Sequence, residues 1–284
     1  MAHLAKNSII FTGRIGDITI FERSGKTHLR PRYNETPRHP KRTKAQLDFN
    51  LRLGNYINFW NLFSQKEKPQ FQDRHAGVTN YNQFVAYAIQ STPIYLTHRQ
   101  IRSGGCVATN VALSAGSLPS IDVAHDGTAP VTDIKLGILR ILPSTTAGQL
   151  ARAIVDNNIK FMPNDIILYY LCQQSWDYTI SVPRVRIVSH SLVLNPYDTR
   201  PLSSIVGGCV GFADRNGHLA ASQDPEGGMA WVHLRPNPLQ SLQPLQPLQP
   251  LLSSQRLFCN NPYIEQFSTP EALEKAINAY KKRR

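Results

Sequence analysis

The sequence predicts a mixed α+β protein that has a helical, basic N-terminal module, an antiparallel β-sandwich-like domain and a short C-terminal helix. Two amphipathic helical segments lie between residues 43 and 92, and seven short β-type segments separated by Gly, Pro, Asn and Asp follow them. Strands do not alternate with long helices, so we expect no parallel doubly wound sheet. The predicted domains are residues 1–93, 94–265 and 266–284.

The composition is that of a folded chain. Of the 284 residues, 41% are hydrophobic and 18% are charged, which suits one large domain or two modest ones. The first ten residues lack the pattern of a secretory signal, and the longest purely apolar run, residues 166–172, is far shorter than the ~20 residues that a membrane span needs. We therefore expect a cytoplasmic protein without a membrane span.

The cysteines favour buried free thiols. They lie far apart in the sequence and form no CxxC pair of the kind that metal sites and redox motifs use. In a reducing compartment a free cysteine behaves as a small hydrophobic residue. We expect no cofactor and no metal, and we expect this buried, reduced state for Cys106, Cys172, Cys209 and Cys259.

The net charge of +12 is concentrated near the N-terminus. Residues 1–105 contain 16 Lys/Arg against 6 Asp/Glu, residues 106–280 contain 11 against 13, and the last four residues are all basic. Such asymmetry is typical of proteins that contact nucleic acid or another polyanion, although a basic surface also serves solubility alone. The candidate polyanion-binding residues are Arg23, Lys26, Arg30, Arg32, Arg38, Lys41, Arg42 and Lys44.

The basic region begins with a predicted β-hairpin. Ile18 and Ile20 alternate with polar neighbours, residues 23–26 are typical of a turn, and residues 27–30 begin the return strand. The segment PRYNETPRHPKR then contains three prolines, which block regular pairing and favour an extended, exposed arm.

Two helices are predicted after this arm. Thr43, with Gln46 three residues later, suits a helix N-terminus, and a second helix is expected from about Asn80 to before Pro93. The first helix extends to about Ser64, and its large apolar side chains recur at spacings of four and three. A face with this period is typical of a core, although its aromatic groups also suit base stacking. The predicted face consists of Phe49, Leu53, Tyr56, Trp60 and Phe63.

The remainder of the chain is predicted to be mainly β, with one helix at 146–157. Leu-Gln-Pro occurs three times at 242–250, which predicts an exposed loop insertion at 239–253. The segment from Ser268 or Thr269 onward has the capping residue, the first-turn proline and the terminal cations of a helix. The predicted strands are 107–113, 133–141, 165–173, 178–194, 205–212, 229–235 and 255–259.

No catalytic motif is present. The chain has no GxSxG, HExxH, Walker-type or GxGxxG sequence. His125–Asp126 and His190–Ser191 are neighbours in predicted extended segments, where adjacent side chains point to opposite faces and are unsuited to a proton relay. Asp122, Asp126 and Asp133 lack the spacing of a calcium loop and are typical of turns.

The run FTGRIGDITIFERSGKTHLRPR, followed by RTKAQLDFNLR, resembles the N-terminal region of a family of basic bacterial and prophage-encoded proteins of unknown function. Members open with a Gly-Ile-Gly or Gly-Val-Gly turn, a short hairpin and a Thr-x-x-Gln helix. The segments TTAGQLARAIVDNNIKFMPNDIILYY, GGMAWVHLRP and TPEALEKAIN are also similar to members, and the Leu-Gln-Pro repeat is an insertion relative to them. The resemblance implies an association with phage-derived assemblies and supplies no catalytic residues.

The sequence thus predicts a non-enzymatic structural or binding component, cytoplasmic or virion-associated, and the resemblance implies that it belongs to a phage-derived assembly. It would contact a polyanion or an acidic partner through its N-terminal third. We also expect protein partners in the assembly and no contact with a membrane. The alternative is a dedicated nucleic-acid-binding protein that contacts DNA or RNA. An enzyme is the third interpretation.

Overall fold

The computed structural model describes residues 13–15, 18–23, 26–31, 42–65, 67–206, 211–236 and 250–281, with the backbone alone for 13–15, 22, 23 and 31. Helices and antiparallel strands occur in similar proportions, and a short helix ends the described chain. The predicted α+β class is confirmed. The chain divides into two compact units, residues 1–43 and 44–284.

The first unit contains a three-stranded antiparallel sheet. Strand β1 (Gly13–Ile15) pairs with β2 (Ile18–Arg23), which pairs with β3 (Lys26–Pro31). In the second pair Arg23 lies opposite Lys26, as a turn at 23–26 requires. The predicted hairpin is confirmed, whereas residues 32–41 of the predicted proline-rich arm lie outside the described residues.

The second unit contains seven helices and eleven strands within the described residues. The helices are α1 (Lys44–Leu62), α2 (Asn80–Ala88), α3 (His98–Arg102), α4 (Ala147–Asn157), α5 (Leu202–Val206), α6 (Pro262–Phe267) and α7 (Pro270–Lys281). The strands are β4 (Gln70–Phe71), β5 (Ala112–Ala115), β6 (Val123–His125), β7 (Pro130–Lys135), β8 (Ile166–Asp177), β9 (Val182–Val193), β10 (Phe212–Arg215), β11 (His218–Ala221), β12 (Gly228–Arg235), β13 (Leu251–Leu252) and β14 (Gln255–Arg256).

These strands form three sheets. The central sheet has the order β13–β12–β8–β9, the second has the order β10–β11–β7–β6, and the third has the order β14–β5–β4. All their described pairs are antiparallel except β4–β5, which is parallel.

The central and second sheets share one core. Tyr169 of β8 and Trp231 of β12 belong to the same buried cluster as Ile134 of β7, Leu219 of β11 and Leu150 of α4. Two antiparallel sheets that contribute their inner faces to a common core form the β-sandwich-like arrangement that the sequence predicts.

The opposite face of the central sheet belongs to a second core. Tyr170 of β8 and Val232 of β12 cluster there with Phe59 of α1 and Phe84 of α2. Successive residues of β8 therefore enter different cores, as strand alternation requires. Since α1 and α2 contribute to this core, they lie in the same compact unit as the sheets, which begins at Lys44.

Three predicted helices are confirmed at their N-termini. Thr79 caps α2, and Thr146 and Gln149 form a reciprocal capping box at α4. At α7 the Ala272 N–H donates to the Thr269 hydroxyl at 3.1 Å. Each cap satisfies a backbone donor that the first helical turn leaves without an intrahelical partner.

Helix α1 begins directly after Thr43, as predicted, but the predicted apolar face is partly wrong. The Phe49 side chain is 47% exposed. Leu47 and Leu51 are buried instead, in a separate cluster with Ile277 of α7. The first half of α1 therefore packs on α7 and the second half on the central sheet, so one face does not describe the whole helix.

The predicted strand at 107–113 forms only from Ala112 onward. Asn55 binds both the N–H and the C=O of Val107, at 2.8 and 3.0 Å. Gln174 accepts a hydrogen bond from the Ala108 N–H at 3.0 Å, and Asn261 donates one to the Ala108 carbonyl at 3.1 Å. Hydrogen bonds from buried side-chain amides thus satisfy the backbone groups of Val107 and Ala108, which a neighbouring strand would otherwise satisfy.

The predicted strand at 205–212 is wrong at its start, because residues 202–206 form α5. Pro201 precedes this helix, and the Ser204 N–H donates to the Pro201 carbonyl at 3.0 Å. Leu202 and Val206, four residues apart, both enter the first core. Strand β10 begins at Phe212, after residues 207–210, which lie outside the described residues.

The exposed loop that the Leu-Gln-Pro repeat predicts ends before residue 253, because the chain rejoins the central sheet at Leu251. Residues 237–249 lie outside the described residues, but Leu251 and Leu252 form β13, which pairs with the end of β12. Leu252 is 3% exposed and Ser253 is fully buried. The prediction of an exposed loop is therefore wrong for 252–253, where a buried leucine anchors the strand in the second core.

The thiols of Cys106 and Cys172 are free and buried, as predicted, and that of Cys259 is free and partly buried. Burial raises the pKa of all three, so their neutral forms are favoured. Cys209 lies outside the described residues.

Candidate polyanion interface

The sheet of the first unit has two chemically different faces. Because side chains alternate along a strand, Lys26, His28 and Arg30 of β3 lie on the same face. The register places Phe21 of β2 opposite His28 and Thr19 opposite Arg30. This set of five residues is called the cationic face below.

The cationic face is open to solvent. Lys26, His28 and Arg30 are all exposed, and the Phe21 side chain is 39% exposed. Same-face residues of a strand follow each other at ~6.7 Å, so an imidazole is flanked on both sides by a cation at that spacing. None of the side chains described on this face is acidic.

An aromatic pair lies between the two cations. The rings of Phe21 and His28 have centroids 5.4 Å apart and planes within 17° of each other, which is a stacked geometry. Cross-strand ring pairs stabilise a hairpin. Because both side chains remain accessible, the same pair also offers ring surface to a ligand.

The opposite face of the β2–β3 hairpin carries three aliphatic side chains together with exposed Thr27. Ile18 and Leu29 are 44% and 68% exposed, and Ile20 is partly buried between them. The register places Ile20 opposite Leu29. The β2–β3 hairpin therefore segregates apolar side chains from the basic and aromatic side chains of the cationic face.

Two further predicted residues lie at the start of α1. Arg42 and Lys44 are exposed, and the first turn of α1 contains no acidic residue. A cation in the first turn opposes the positive end of the helix dipole, at a cost of ~0.3–1 kcal/mol. Lys44 therefore does not stabilise α1 through the helix dipole.

The structure brings together only part of the predicted set. Lys26 and Arg30 share the cationic face, and the backbone of Arg23 pairs with Lys26. Arg32, Arg38 and Lys41 lie outside the described residues. Phe21 and His28 were not predicted as site residues, although their pairing follows from the register that the turn at 23–26 sets.

The second unit contains a buried charged cluster. Asp165 accepts hydrogen bonds from His233 Nε2 at 2.7 Å, from Arg235 Nε at 2.9 Å and from the Met162 N–H at 2.8 Å. The side chains of Asp165 and His233 are 2% and 0% exposed. The cluster is therefore closed to a substrate and joins β12 to the start of β8.

Charge and burial set the pKa values in this cluster. Burial alone would raise the pKa of Asp165, but the hydrogen bonds from Arg235, Met162 and His233 lower it overall. Burial lowers the pKa of His233 despite its bond to Asp165. The neutral imidazole therefore donates from Nε2, and its buried Nδ1 has no partner among the described residues.

His125 and Asp126, which are adjacent in the sequence, do not pair with each other. His125 contacts Asp224, at 3.1 Å from Nε2, and its Nδ1 accepts the Gly127 N–H at 3.0 Å. Asp126 instead accepts the Thr128 and Ala129 N–H groups. Among the described residues, no three His, Cys, Asp or Glu side chains are grouped to hold a metal ion.

A groove of about 530 Å³ lies in the second unit between β5, residues 120–123 and residues 254–258. It carries charges of both signs, from Asp73 and Asp122 and from Arg256. The Gln255 side chain hydrogen-bonds both backbone groups of Ile121 in its wall. These features do not select one class of ligand.

None of the helices that the structure describes combines the length and apolarity needed to cross a membrane. No protein-family model, no curated protein and no solved structure matches the chain.

Proposed function

We propose that the protein is a non-enzymatic binding component that contacts a polyanion or an acidic partner through its N-terminal third. The observation that carries the proposal is the cationic face, where exposed Lys26 and Arg30 flank His28 without an acidic neighbour among the described side chains. Surface charges that serve solubility need no such segregation. Same-sign side chains on one face raise the local potential and attract a partner of opposite charge.

A role within a phage-derived assembly is part of this proposal and rests on the family resemblance alone. It predicts that the protein self-associates or co-purifies with particles. Sedimentation of the full chain and of particle fractions tests this role. A strictly monomeric protein that is absent from every particle fraction would remove it, without affecting the proposal of polyanion binding.

Heparin-affinity chromatography of the full chain tests the binding proposal. The site variant replaces four exposed cations, K26Q/R30Q/R42Q/K44Q, and the matched control replaces four exposed cations of the second unit, K135Q/R152Q/R186Q/K275Q. Both variants lose the same charge, so net charge alone affects them equally.

We expect the wild type to bind heparin, the site variant to elute at clearly lower salt, and the control to elute close to the wild type. Equal elution of the two variants would show that binding follows net charge and would overturn the proposal. Absence of wild-type binding at low salt would overturn it as well.

A further inference from the structure

We infer that the polyanion bound by the cationic face is a single-stranded nucleic acid, whose unpaired bases stack on the Phe21–His28 pair while Lys26 and Arg30 contact its phosphates. The inference rests on the proposed function and specifies its ligand. It depends on a second observation that charge alone does not explain, namely the exposed aromatic pair between the cations.

Exposed aromatic side chains on the cationic face favour a single strand over other polyanions as its ligand. Proteins that bind single strands combine a positively charged surface with aromatic side chains on which bases stack. Duplex bases are already stacked on one another and present only their edges in the grooves. Acidic proteins and heparin have no bases, so the cations alone would serve them, and the accessible Phe21 ring would add little.

The arrangement of the face suits a ligand that lies along β3. Lys26, His28 and Arg30 form a row, with ~6.7 Å between successive residues, and the Phe21 ring lies beside the middle member at a centroid distance of 5.4 Å. A flexible single strand follows such a row by extending its backbone, and its bases remain free to turn toward the rings.

The competing explanation is that Phe21 and His28 only stabilise the hairpin. In that case any large apolar side chain at position 21 would preserve binding. Phe21→Leu removes the aromatic ring but keeps apolar volume, and Phe21→Tyr keeps the ring. Leu29→Thr is the matched control, because Leu29 is an exposed apolar residue on the opposite face of the same hairpin.

The test is fluorescence anisotropy of the full-length protein with a labelled oligothymidine, a labelled duplex and labelled heparin at one salt concentration. We expect tighter binding of oligothymidine than of duplex of the same length. Phe21→Leu should weaken oligothymidine binding about tenfold, as expected for the loss of a stacked base, and leave heparin binding unchanged. Phe21→Tyr and Leu29→Thr should bind oligothymidine like the wild type.

The outcomes separate this inference from the proposed function. If heparin or polyglutamate binds but oligothymidine does not, or if duplex binds as well as oligothymidine, the inference is overturned and the proposed function stands. Equal binding by Phe21→Leu and the wild type also overturns it. If none of the polyanions binds, both fail. Should Phe21→Leu unfold the hairpin, it would lose heparin binding too, and the comparison of oligothymidine with duplex would then decide.

Discussion

His233 donates its Nε2 proton to Asp165 at 2.7 Å, and neither side chain reaches solvent. Burial lowers the pKa of His233 below its ordinary value of 6.5, although the carboxylate opposes this shift and Arg235 and Lys160 reinforce it. In the unfolded chain the imidazole regains its ordinary pKa. As the pH falls through 6.5, the unfolded state therefore binds more protons than the folded state, and the free energy of unfolding decreases.

Urea unfolding between about pH 8 and about pH 5 measures this effect. We expect the wild type to lose stability over this interval and His233→Gln to lose less. The remaining loss would come partly from His190, whose pKa is also lowered by burial. An equal loss in wild type and variant would contradict the assignment of the pH dependence to His233.

Replacement of the central carboxylate should destabilise the fold strongly. In Asp165→Asn the guanidinium of Arg235 and the imidazole of His233 lose their charged acceptor inside the protein. Breaking a buried ion pair on one side costs about 3 kcal/mol or more. Urea unfolding at neutral pH should show this loss for Asp165→Asn and almost none for Asp156→Asn, on the exposed surface of α4. Equal effects would contradict a structural role for the cluster.

The amide network around residues 106–109 predicts a local effect on hydrogen exchange. Gln174 is 2% exposed and accepts the Ala108 N–H, while its amide group donates to the Arg184 carbonyl at 2.8 Å. Each buried partner left without a hydrogen bond costs ~1–3 kcal/mol. Gln174→Ala should lose stability and accelerate exchange of the Ala108 amide, and the control Gln173→Ala should do neither. Unchanged protection of Ala108 in Gln174→Ala would contradict this account of the segment.

Two phenylalanines of α1 test the packing of that helix. Phe59 is 1% exposed and stacks on Phe84 at a centroid distance of 6.4 Å, whereas Phe49 is 47% exposed. Removal of a buried phenylalanine side chain costs about 3–5 kcal/mol, including the cavity that remains. Phe59→Ala should lower the free energy of unfolding by this amount and Phe49→Ala by less than about 1 kcal/mol. A comparable loss of stability in Phe49→Ala would show that Phe49 is buried, as the sequence predicts, and would contradict the packing of α1 described above.

Local signals in the sequence predict the elements that depend on neighbouring residues. The helix near residues 146–157, the Thr269 cap, the pairing of Arg23 with Lys26 and the start of α1 each depend on contacts within a few residues, and the structure has all of them. The strand alternation of β3 likewise predicts that Lys26 and Arg30 share a face.

The elements that the sequence does not predict depend on distant contacts. Leu47 and Leu51 are buried by α7, more than two hundred residues away in the chain. The backbone of Val107 is hydrogen-bonded by the Asn55 side chain. No local sequence pattern shows that a side-chain amide, and not a neighbouring strand, will bind this backbone. For the candidate site, the turn already fixes the pairing of Phe21 with His28, but charge counting alone does not consider aromatic residues.

The salt dependence of oligothymidine binding tests the central claim most directly, because each cation that contacts a phosphate releases counterions on binding. The double variant K26Q/R30Q should reduce the magnitude of the slope of log affinity against log salt by about 1.4, at ~0.7 for each cation on a single strand. The control K135Q/K275Q should keep the wild-type slope. If K26Q/R30Q keeps the wild-type slope as well, Lys26 and Arg30 contact no phosphate of the single strand, and the claim that the cationic face binds a single-stranded nucleic acid is contradicted.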